Sequence, residues 1–200
     1  MRERGAGRNM IGEIIWAVGI VAWYVIRYPF ERKAKRVRVV RNERTPVENA
    51  GLASAIIGMA VIPAITIATG WPQAASYEAQ PWAIVIGTLC FAGGLWMFRR
   101  SHKDLGRNWS ISLEIREEHK LVTRGVYSLI RHPMYTAFLL MAVGQAFLIS
   151  NWVGGLAGLV GFSALFVPRV GKEERLMLDT FGEDYARYMG HTRRLVPWLY

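Results

Sequence analysis

Charged side chains are unevenly distributed along this chain, and long uncharged stretches separate the segments that carry them. No Asp, Glu, Lys or Arg occurs in residues 14–26, 49–77, 79–98 and 132–168. A membrane-spanning helix needs about 20 mostly apolar residues. The fourth stretch has 37 residues, which is enough for two spans with Asn151 as the turn between them. The pattern therefore predicts five transmembrane helices, at about residues 10–28, 50–70, 81–98, 134–150 and 152–168.

The composition fits one integral membrane domain. Hydrophobic residues make up 52% of the 200 residues and charged residues 20%, so the charges must be segregated from the apolar stretches. A chain of this length corresponds to one domain of ordinary size, and residues 1–200 are predicted to form a single all-α membrane domain. The first apolar stretch is long, aromatic and without a small-residue cleavage site, which argues against a secretory signal. The lone cysteine, Cys90, excludes an intrachain disulfide.

The basic residues predict how this domain is oriented. Eight Lys or Arg fall in residues 27–44, eight in residues 99–131 and six from Arg169 onward, whereas the connections 71–80 and 150–151 have none. Basic loops stay on the cytoplasmic side of a membrane, so these three segments and the C-terminus are predicted to be cytoplasmic. Five spans then place the N-terminus outside, although it carries three arginines. The net charge of +10 is explained by topology and by contact with anionic lipids, so no nucleic-acid partner is predicted.

Small residues, one proline and the polar connections give further local predictions. Small residues spaced three or four apart in the second, third and fifth spans predict close helix packing. Pro63, in the middle of the second span, predicts a kink. Residues 31–48 are predicted to be a solvated basic connector. The alternation of polar and apolar side chains over residues 110–115 predicts a short extended segment at the cytoplasmic face.

A polar and aromatic segment, residues 119–135, lies between the third and fourth spans. The residue before a proline avoids the helical region, so His132 is predicted to lie in a turn. Pro133 suits the first position of a helix, which predicts that the fourth helix begins there. The free N–H groups and partial positive charge at that helix start favour a carboxylate or phosphate. This segment is therefore the candidate functional site.

A second candidate site follows the fifth span, where residues 169–188 are predicted to form a cytoplasmic helix. Arg169 and Glu173 are four residues apart and share one face of that helix. Two interpretations remain open at this point. The pair is either an ion pair at the membrane edge or part of a functional site.

The histidines do not indicate a metal site. They are four in number, and none pairs with another histidine or with the cysteine at the spacing that metal ligands show. The chain is therefore predicted to bind no metal. His102 and His191 are predicted to be surface residues.

Several motifs in the second half of the chain occur in a fixed order. They are Leu-Val-Thr-Arg-Gly-Val-Tyr at 121–127, Arg-His-Pro-Met-Tyr at 131–135, an apolar hairpin, Glu-Glu at 173–174, Phe-Gly-Glu-Asp-Tyr at 181–185 and Pro197. The ordered set resembles the isoprenylcysteine carboxyl methyltransferase family, and the related phospholipid N-methyltransferases share part of it. The resemblance covers about residues 105–197, roughly half of the chain. The whole set is far more specific than any one of its motifs.

This resemblance implies an integral membrane methyltransferase that uses S-adenosylmethionine as its cofactor and acts on a lipid-like or prenylated substrate in the bilayer. It implies that Arg169 binds the substrate and is the catalytic residue, and that residues 105–197 form the cofactor-binding half. The implied cofactor-binding residues are His119, Lys120, Leu121, Val122, Tyr127, His132, Pro133, Met134, Tyr135 and Glu173.

The residue types suit that chemistry. Glu173 is able to hold the cofactor ammonium, and His132 with the amides of the helix start is able to hold its carboxylate. Tyr127 and Tyr135 offer ring surface for the adenine or the sulfonium. A carboxylate acceptor is already ionised at pH 7 and needs a cation to hold it, for which the guanidinium of Arg169 is suited.

The predicted activity is therefore carboxyl O-methylation of an isoprenylated cysteine or a similar lipid-like carboxylate. The enzymatic alternative is N-methylation of a phospholipid head group or S-methylation of a small thiol. A non-enzymatic membrane scaffold is the remaining alternative. A membrane reductase is disfavoured because the sequence shows no clear nicotinamide-phosphate site.

Overall fold

Seven α-helices and one small β-ladder make up the part of the chain that the structure describes. This computed structural model describes residues 9–34, 39–42, 45–106, 109, 114–116 and 120–197, with the ranges 39–42 and 114–116 as backbone only. The helices are α1 (Met10–Ala34), α2 (Pro46–Ile56), α3 (Ile62–Thr69), α4 (Pro81–Leu105), α5 (Pro133–Leu148), α6 (Trp152–Phe181) and α7 (Glu183–His191). Strands β1 (Val39–Asn42) and β2 (Glu114–Arg116) pair in the antiparallel direction.

Four helical segments among the described residues are long and apolar enough to cross a membrane. They are α1, α4, α6 and the α2–α3 pair, which together spans Pro46–Thr69. The fifth apolar helix, α5, has 16 residues and is about 24 Å long at 1.5 Å per residue. It packs against both α4 and α6. The predicted helical membrane fold is confirmed, and its fourth predicted span is the shortest helix of the five.

The long helices extend beyond the apolar stretches that predicted them. Helices α1, α4 and α6 each continue past the predicted end of their span. The prediction that one helix ends at Pro168 and another begins at Arg169 is wrong, because α6 runs through both residues. Val170 and Leu176 are buried beyond the proline. Their packing stabilises the helix where Pro168 donates no backbone hydrogen bond.

A π-helical segment, Ile57–Val61, joins α2 to α3. Proline has no N–H and its ring clashes with the carbonyl four residues earlier, and π-turns are one way in which a helix absorbs such a defect. A kink was predicted at Pro63, and the structure has this π-helical segment just before that proline. Gln145 of α5 is fully buried beside it, where its Nε2 donates to the Gly58 carbonyl at 3.0 Å and its Oε1 accepts from Trp16 Nε1 at 3.3 Å. Gln145 thereby links α1, α5 and the π-helical segment.

Glycines bring α6 into close contact with α2 and the π-helical segment. A Cβ atom on Gly58 would overlap the carbonyl oxygen of Ala157, and one on Gly161 would overlap that of Ser54. Gly87 plays the same part between α4 and α5, where an added Cβ would lie 2.9 Å from a side-chain carbon. The predicted packing role of these glycines is confirmed.

The two ends of the helix bundle differ in charge. At one end Asn151 caps α6, and its Nδ2 donates to the Pro72 carbonyl at 2.9 Å and to Ser76 Oγ at 3.0 Å. The turn predicted at this residue is confirmed, and it meets the connection 71–80, which has no Lys or Arg. Residues 120–132 lie at the other end, with the cavity-lining basic side chains Arg27, Arg131 and Arg169. The predicted extended segment at 110–115 overlaps β2 at its described residues.

Candidate functional site

One cavity of about 590 Å³ extends from the basic end of the molecule into the space between the helices. Charged and polar side chains line its part near the helix ends, among them Arg27, Lys120, Arg131, His132, Arg169 and Glu173. Apolar side chains from α1, α2, the π-helical segment, α5 and α6 line its inner part, among them Ile20, Leu52, Met59, Met141, Phe162 and Leu165. A single cavity therefore joins a polar compartment to an apolar one.

The C-terminal segment holds residues 120–132 against this cavity. The Arg131 N–H donates to the Arg193 carbonyl at 2.7 Å, and the His132 N–H donates to the Arg194 carbonyl at 3.0 Å. These backbone hydrogen bonds form a short parallel pairing just before α5 begins. The position of His132 is therefore fixed in two ways. Its N–H is held by the C-terminal segment, and the residue lies in the turn that was predicted because it precedes Pro133.

A short 3₁₀ turn, Gly125–Ser128, places Tyr127 in the cavity wall. The Val126 N–H donates to Asp104 Oδ2 at 3.0 Å, which ties the turn to the end of α4. Gly125 has φ +64°, and a Cβ there would overlap the Asp104 carboxylate, so glycine is required for this approach. Tyr188 of α7 donates its hydroxyl proton to the Tyr127 carbonyl at 2.6 Å. Contacts from α4 and α7 thus fix the turn on two sides.

Glu173 of α6 lies at the centre of the polar compartment. Its Oε2 accepts a hydrogen bond from the Tyr135 hydroxyl at 2.6 Å, and its Oε1 lies 3.7 Å from His132 Nδ1. Arg169, one turn earlier on α6, has its Nε 3.8 Å from Glu173 Oε2. The structure brings these four predicted site residues together, and the ion pair between Arg169 and Glu173 is present within the same cluster.

The neighbouring carboxylate of Glu174 is buried, with 4% of its surface exposed, and the sequence did not predict it as a site residue. It accepts from Arg131 Nε at 3.0 Å and from Arg194 Nη2 at 2.7 Å, and its Oε1 lies 3.3 Å from His132 Nε2. Both ring nitrogens of His132 therefore face carboxylates. Burial lowers the pKa of His132, but the hydrogen bonds and charges of Glu173 and Glu174 outweigh burial and raise it above its usual value.

A carboxylate from the first half of the chain holds Arg169. Glu48 Oε1 lies 3.1 Å from Arg169 Nη1, and only 6% of Glu48 is exposed. The prediction that residues 31–48 form a solvated connector is wrong at Glu48, because α2 begins at Pro46 and packs against α6. One sequence signal existed, since Thr45 and Glu48 have the spacing of a helix capping box.

The remaining predicted cofactor residues divide into three groups. Five of them line the cavity, namely Lys120, Leu121, Val122, Tyr127 and Met134. Pro133 is buried as the first residue of α5, which confirms the predicted helix start. His119 lies outside the described residues.

Burial, together with the charge of Glu173, raises the pKa of Tyr127, so its phenol is neutral at physiological pH.

His102 is buried, which makes its predicted surface position wrong. Its ring packs between those of Phe98 and Trp109, with centroids 4.2 Å and 4.7 Å away, and its Nδ1 lies 2.9 Å from the Phe98 carbonyl oxygen. The cause is the extension of α4 past the apolar stretch, which carries His102 into an aromatic cluster. His191 is exposed at the end of α7, as predicted.

The arrangement supplies binding groups of both charges beside an apolar compartment. Glu173 is able to hold a cation, Arg169 an anion, and the first N–H groups of α5 a carboxylate. Among the residues that the structure describes, no group of three or more His, Cys, Asp or Glu side chains is placed to hold a metal ion. The geometry therefore suits a zwitterionic molecule in the polar compartment and an amphipathic one that spans both.

Known proteins with similar sequences are named as methyltransferases. The sequence profile of the phospholipid methyltransferase family matches residues 82–184. Protein-S-isoprenylcysteine O-methyltransferase B of Arabidopsis thaliana is 35% identical over 96 residues, which are 47% of this chain and 49% of that protein. The human protein-S-isoprenylcysteine O-methyltransferase is 26% identical over 131 residues, 64% of this chain and 45% of that protein. This chain thus spans about half the length of the curated relatives that it matches.

The fold is also similar to that of a solved structure. The eukaryotic intramembrane Ras methyltransferase called isoprenylcysteine carboxyl methyltransferase aligns with a TM-score of 0.52 and 23% sequence identity, covering 80% of this chain and 55% of that one. The apolar helices and these similarities define a multi-pass membrane protein with a methyltransferase fold. The chain belongs to the phospholipid methyltransferase family, and family membership implies a methyl donor.

Proposed function

We propose that this protein transfers a methyl group from S-adenosylmethionine to the carboxylate of an isoprenylated cysteine or a similar lipid-like acid. The observation that carries the proposal is the position of Arg169, which lines the same cavity as both the polar cluster around Glu173 and the apolar side chains between the helices. An acceptor with a long apolar group and a terminal carboxylate matches such a cavity. The names of the similar proteins agree with this acceptor class.

The polar compartment has the groups that S-adenosylmethionine requires. The carboxylate of Glu173 would hold the ammonium of the cofactor, and the N–H groups of Met134 and Tyr135 at the start of α5 would hold its carboxylate. Tyr127 and Tyr135 line the cavity with neutral rings, which suit the adenine and the sulfonium. When bound, this cofactor supplies a methyl group on an electron-poor sulfur. His132, whose ring nitrogens face Glu173 and Glu174, acts by fixing Glu173.

The acceptor carboxylate needs orientation and partial removal of water rather than a base, because it is already ionised at pH 7. Arg169 would orient it through charge-assisted hydrogen bonds, with its attacking oxygen in line with the donor methyl and sulfur atoms. The transfer would exchange the carbon–sulfur bond of the donor for a carbon–oxygen bond, so Arg169 would need only to hold the acceptor and no side chain would need to move a proton. The buried position of Arg169, whose side chain is 11% exposed, excludes most water from this contact.

The lining of the apolar compartment indicates that the first half of the chain helps to bind the acceptor. Leu52 and Met59 come from the N-terminal helices, and Met141 and Phe162 come from the C-terminal ones, yet all four line the cavity. The acceptor's apolar group would therefore contact both halves, and residues 1–200 would act as one methyltransferase domain. Because the site is at the basic end of the bundle, we place the site and the C-terminus on the cytoplasmic side.

Phospholipid N-methylation is the second candidate, and the family match over residues 82–184 favours it. An amine acceptor must lose its proton before it attacks the methyl group. The positive charge of Arg169 favours deprotonation of a nearby amine but repels the protonated form as it enters. A carboxylate is already deprotonated, and the positive charge of Arg169 attracts it. The acid is therefore the preferred acceptor.

A direct comparison of the two acceptors tests this choice. Purified protein in lipid receives methyl-labelled S-adenosylmethionine, together with equal amounts of an S-prenylated cysteine analogue and phosphatidylethanolamine. We expect base-labile label on the prenylcysteine, as a methyl ester requires. Base-stable label on the phospholipid, with none on the acid, would replace the proposed acceptor by the second candidate.

A further inference from the structure

Glu48 lies outside the part of the chain that the family profile matches, which begins at residue 82. It stands in the first turn of α2, where its N–H donates to the Thr45 hydroxyl oxygen at 3.3 Å. This cap fixes the backbone at Glu48, and burial restricts its side chain. A short and firmly placed segment of the first half of the chain therefore delivers one carboxylate to α6.

The carboxylate of Glu48 contacts Arg169 from the side away from the main cavity. Glu48 Oε1 is 3.1 Å from Arg169 Nη1, and Glu48 is not among the described residues that line the cavity of about 590 Å³. Glu48 instead lines a small crevice with Thr45 and Pro168, and Arg169 lines this crevice as well as the cavity. The Arg169 guanidinium thus lies between Glu48 in this crevice and the cavity itself.

On its cavity side Arg169 faces Glu173 at the longer distance of 3.8 Å. The two residues are one helical turn apart, a spacing at which an arginine and a glutamate form a close ion pair without help from other helices. Without Glu48, Glu173 would still lie beside the guanidinium on the cavity side, and the arginine would move toward it. Glu48 thus competes for Arg169 from the opposite side.

We propose that Glu48 is a positioning residue that holds the Arg169 guanidinium in place to recognise the anionic group of the methyl acceptor. This inference rests on the proposed function, because it concerns how the acceptor carboxylate is bound. It assigns part of acceptor recognition to α2. Glu48 touches neither the acceptor nor the methyl donor and acts only through Arg169.

The test measures the preference for an acid over its uncharged analogue. The full chain, in lipid and saturated with S-adenosylhomocysteine, is titrated with S-farnesylcysteine and with its carboxamide. Wild type is expected to bind the acid at least about tenfold more tightly, since a hydrogen bond to a charged group contributes about 1.5–3 kcal/mol. Glu48→Ala is expected to reduce that ratio to about twofold or less, and Arg169→Ala is expected to do the same. The double variant is expected to show no further reduction of the ratio.

Two further variants complete the design. Glu48→Gln keeps an oxygen acceptor of the same reach without the charge, so its ratio is expected to fall between those of wild type and Glu48→Ala, and it serves if the alanine variant does not fold. Asp184→Ala is the matched control, since Asp184 also pairs with an arginine, Arg187, but neither residue lines the cavity. Its ratio is expected to equal that of wild type.

The outcomes separate this inference from the proposed function. A Glu48→Ala protein that folds and keeps the wild-type ratio overturns the inference, as does an equal loss of affinity for the acid and the carboxamide, which is what a purely structural role produces. If wild type methylates the acid in the same preparation, the proposed function stands in either case. If wild type neither methylates the acid nor prefers it, both the proposed function and the inference fail.

Discussion

Tyr135 donates a hydrogen bond of 2.6 Å to Glu173, and this contact joins the start of α5 to the middle of α6. The two residues come from separate motifs, 38 positions apart in the sequence. Glu173 also faces His132 and Arg169, so its carboxylate has a fixed orientation before any ligand arrives. A carboxylate held in this way loses little freedom on binding a cation.

Removing this hydroxyl is expected to weaken cofactor binding. Tyr135→Phe keeps the ring in place and leaves Glu173 without its shortest hydrogen bond, a loss of about 1–1.5 kcal/mol or roughly tenfold in Kd. Calorimetric titration of the purified protein with S-adenosylmethionine measures this change. Tyr28→Phe, an exposed tyrosine of α1, is the control and should bind like wild type. An unchanged Kd in Tyr135→Phe would remove this tyrosine from the cofactor site.

Arg169 and Glu173 of α6 are expected to have different roles in binding. Glu173→Ala removes the proposed partner of the cofactor ammonium, and we expect Kd for S-adenosylmethionine to rise at least tenfold, or about 1.4 kcal/mol. Arg169→Ala should change this Kd by less than about threefold, because Arg169 is assigned to the acceptor. The same titration compares both variants. Equal affinity in wild type and Glu173→Ala would show that the assignment of Glu173 is wrong.

Stability is expected to depend on pH through His132. Its folded-state pKa is raised above the unfolded value of about 6.5, so its contribution is fully present below that pH and is lost as pH rises through the folded-state pKa. The difference in Tm between wild type and His132→Asn should therefore shrink as pH is raised from about 6 to about 9. His191→Asn, at an exposed position, is the control and should give only a small difference in Tm. A His132 difference that grows with pH would contradict the ion pairs.

The close approach of α6 to α2 is expected to be sensitive to one methyl group. Gly161→Ala places a Cβ against the Ser54 carbonyl oxygen, and overpacking of this kind costs about 1–3 kcal/mol. Gly171→Ala, on the same helix but with open space around it, should be neutral or stabilise the protein by up to about 1 kcal/mol. Thermal unfolding of both variants in the same detergent measures the difference. If the two variants unfold alike, the helices are not in contact at Gly161.

Local patterns in the sequence predicted the elements that depend on neighbouring residues. The proline rule predicted the start of α5 at Pro133, and an uncharged stretch with a polar interruption predicted the turn at Asn151. The spacing of four predicted that Arg169 and Glu173 share a face, and their distance of 3.8 Å agrees. These features are set by contacts within a few residues, which a single sequence records.

Contacts between distant segments were not predicted. The segment containing Glu48 was assigned to solvent because basic residues dominate it, but its partner Arg169 is 121 positions away. His102 is predicted to be a surface residue, yet the extended α4 buries it among aromatic rings. The sequence does not distinguish Glu174 from Glu173, since only the fold shows that Arg131 and Arg194 converge on Glu174. For Glu48 and Glu174 the missed partners are far away in the sequence, whereas His102 is buried because α4 extends past the apolar stretch.

The central claim is that Arg169 holds the acceptor carboxylate in the same cavity as the methyl-donor site. Methyl transfer in lipid tests this claim most directly. Wild type and Arg169→Ala are each loaded with methyl-labelled S-adenosylmethionine and mixed with S-farnesylcysteine for a single turnover. We predict a base-labile methyl ester from wild type and at least about 100-fold slower transfer from Arg169→Ala, or about 2.7 kcal/mol of lost transition-state stabilisation, with equal donor binding in both. Equal rates from the two proteins, or no transfer by wild type that has bound the donor, would contradict the account.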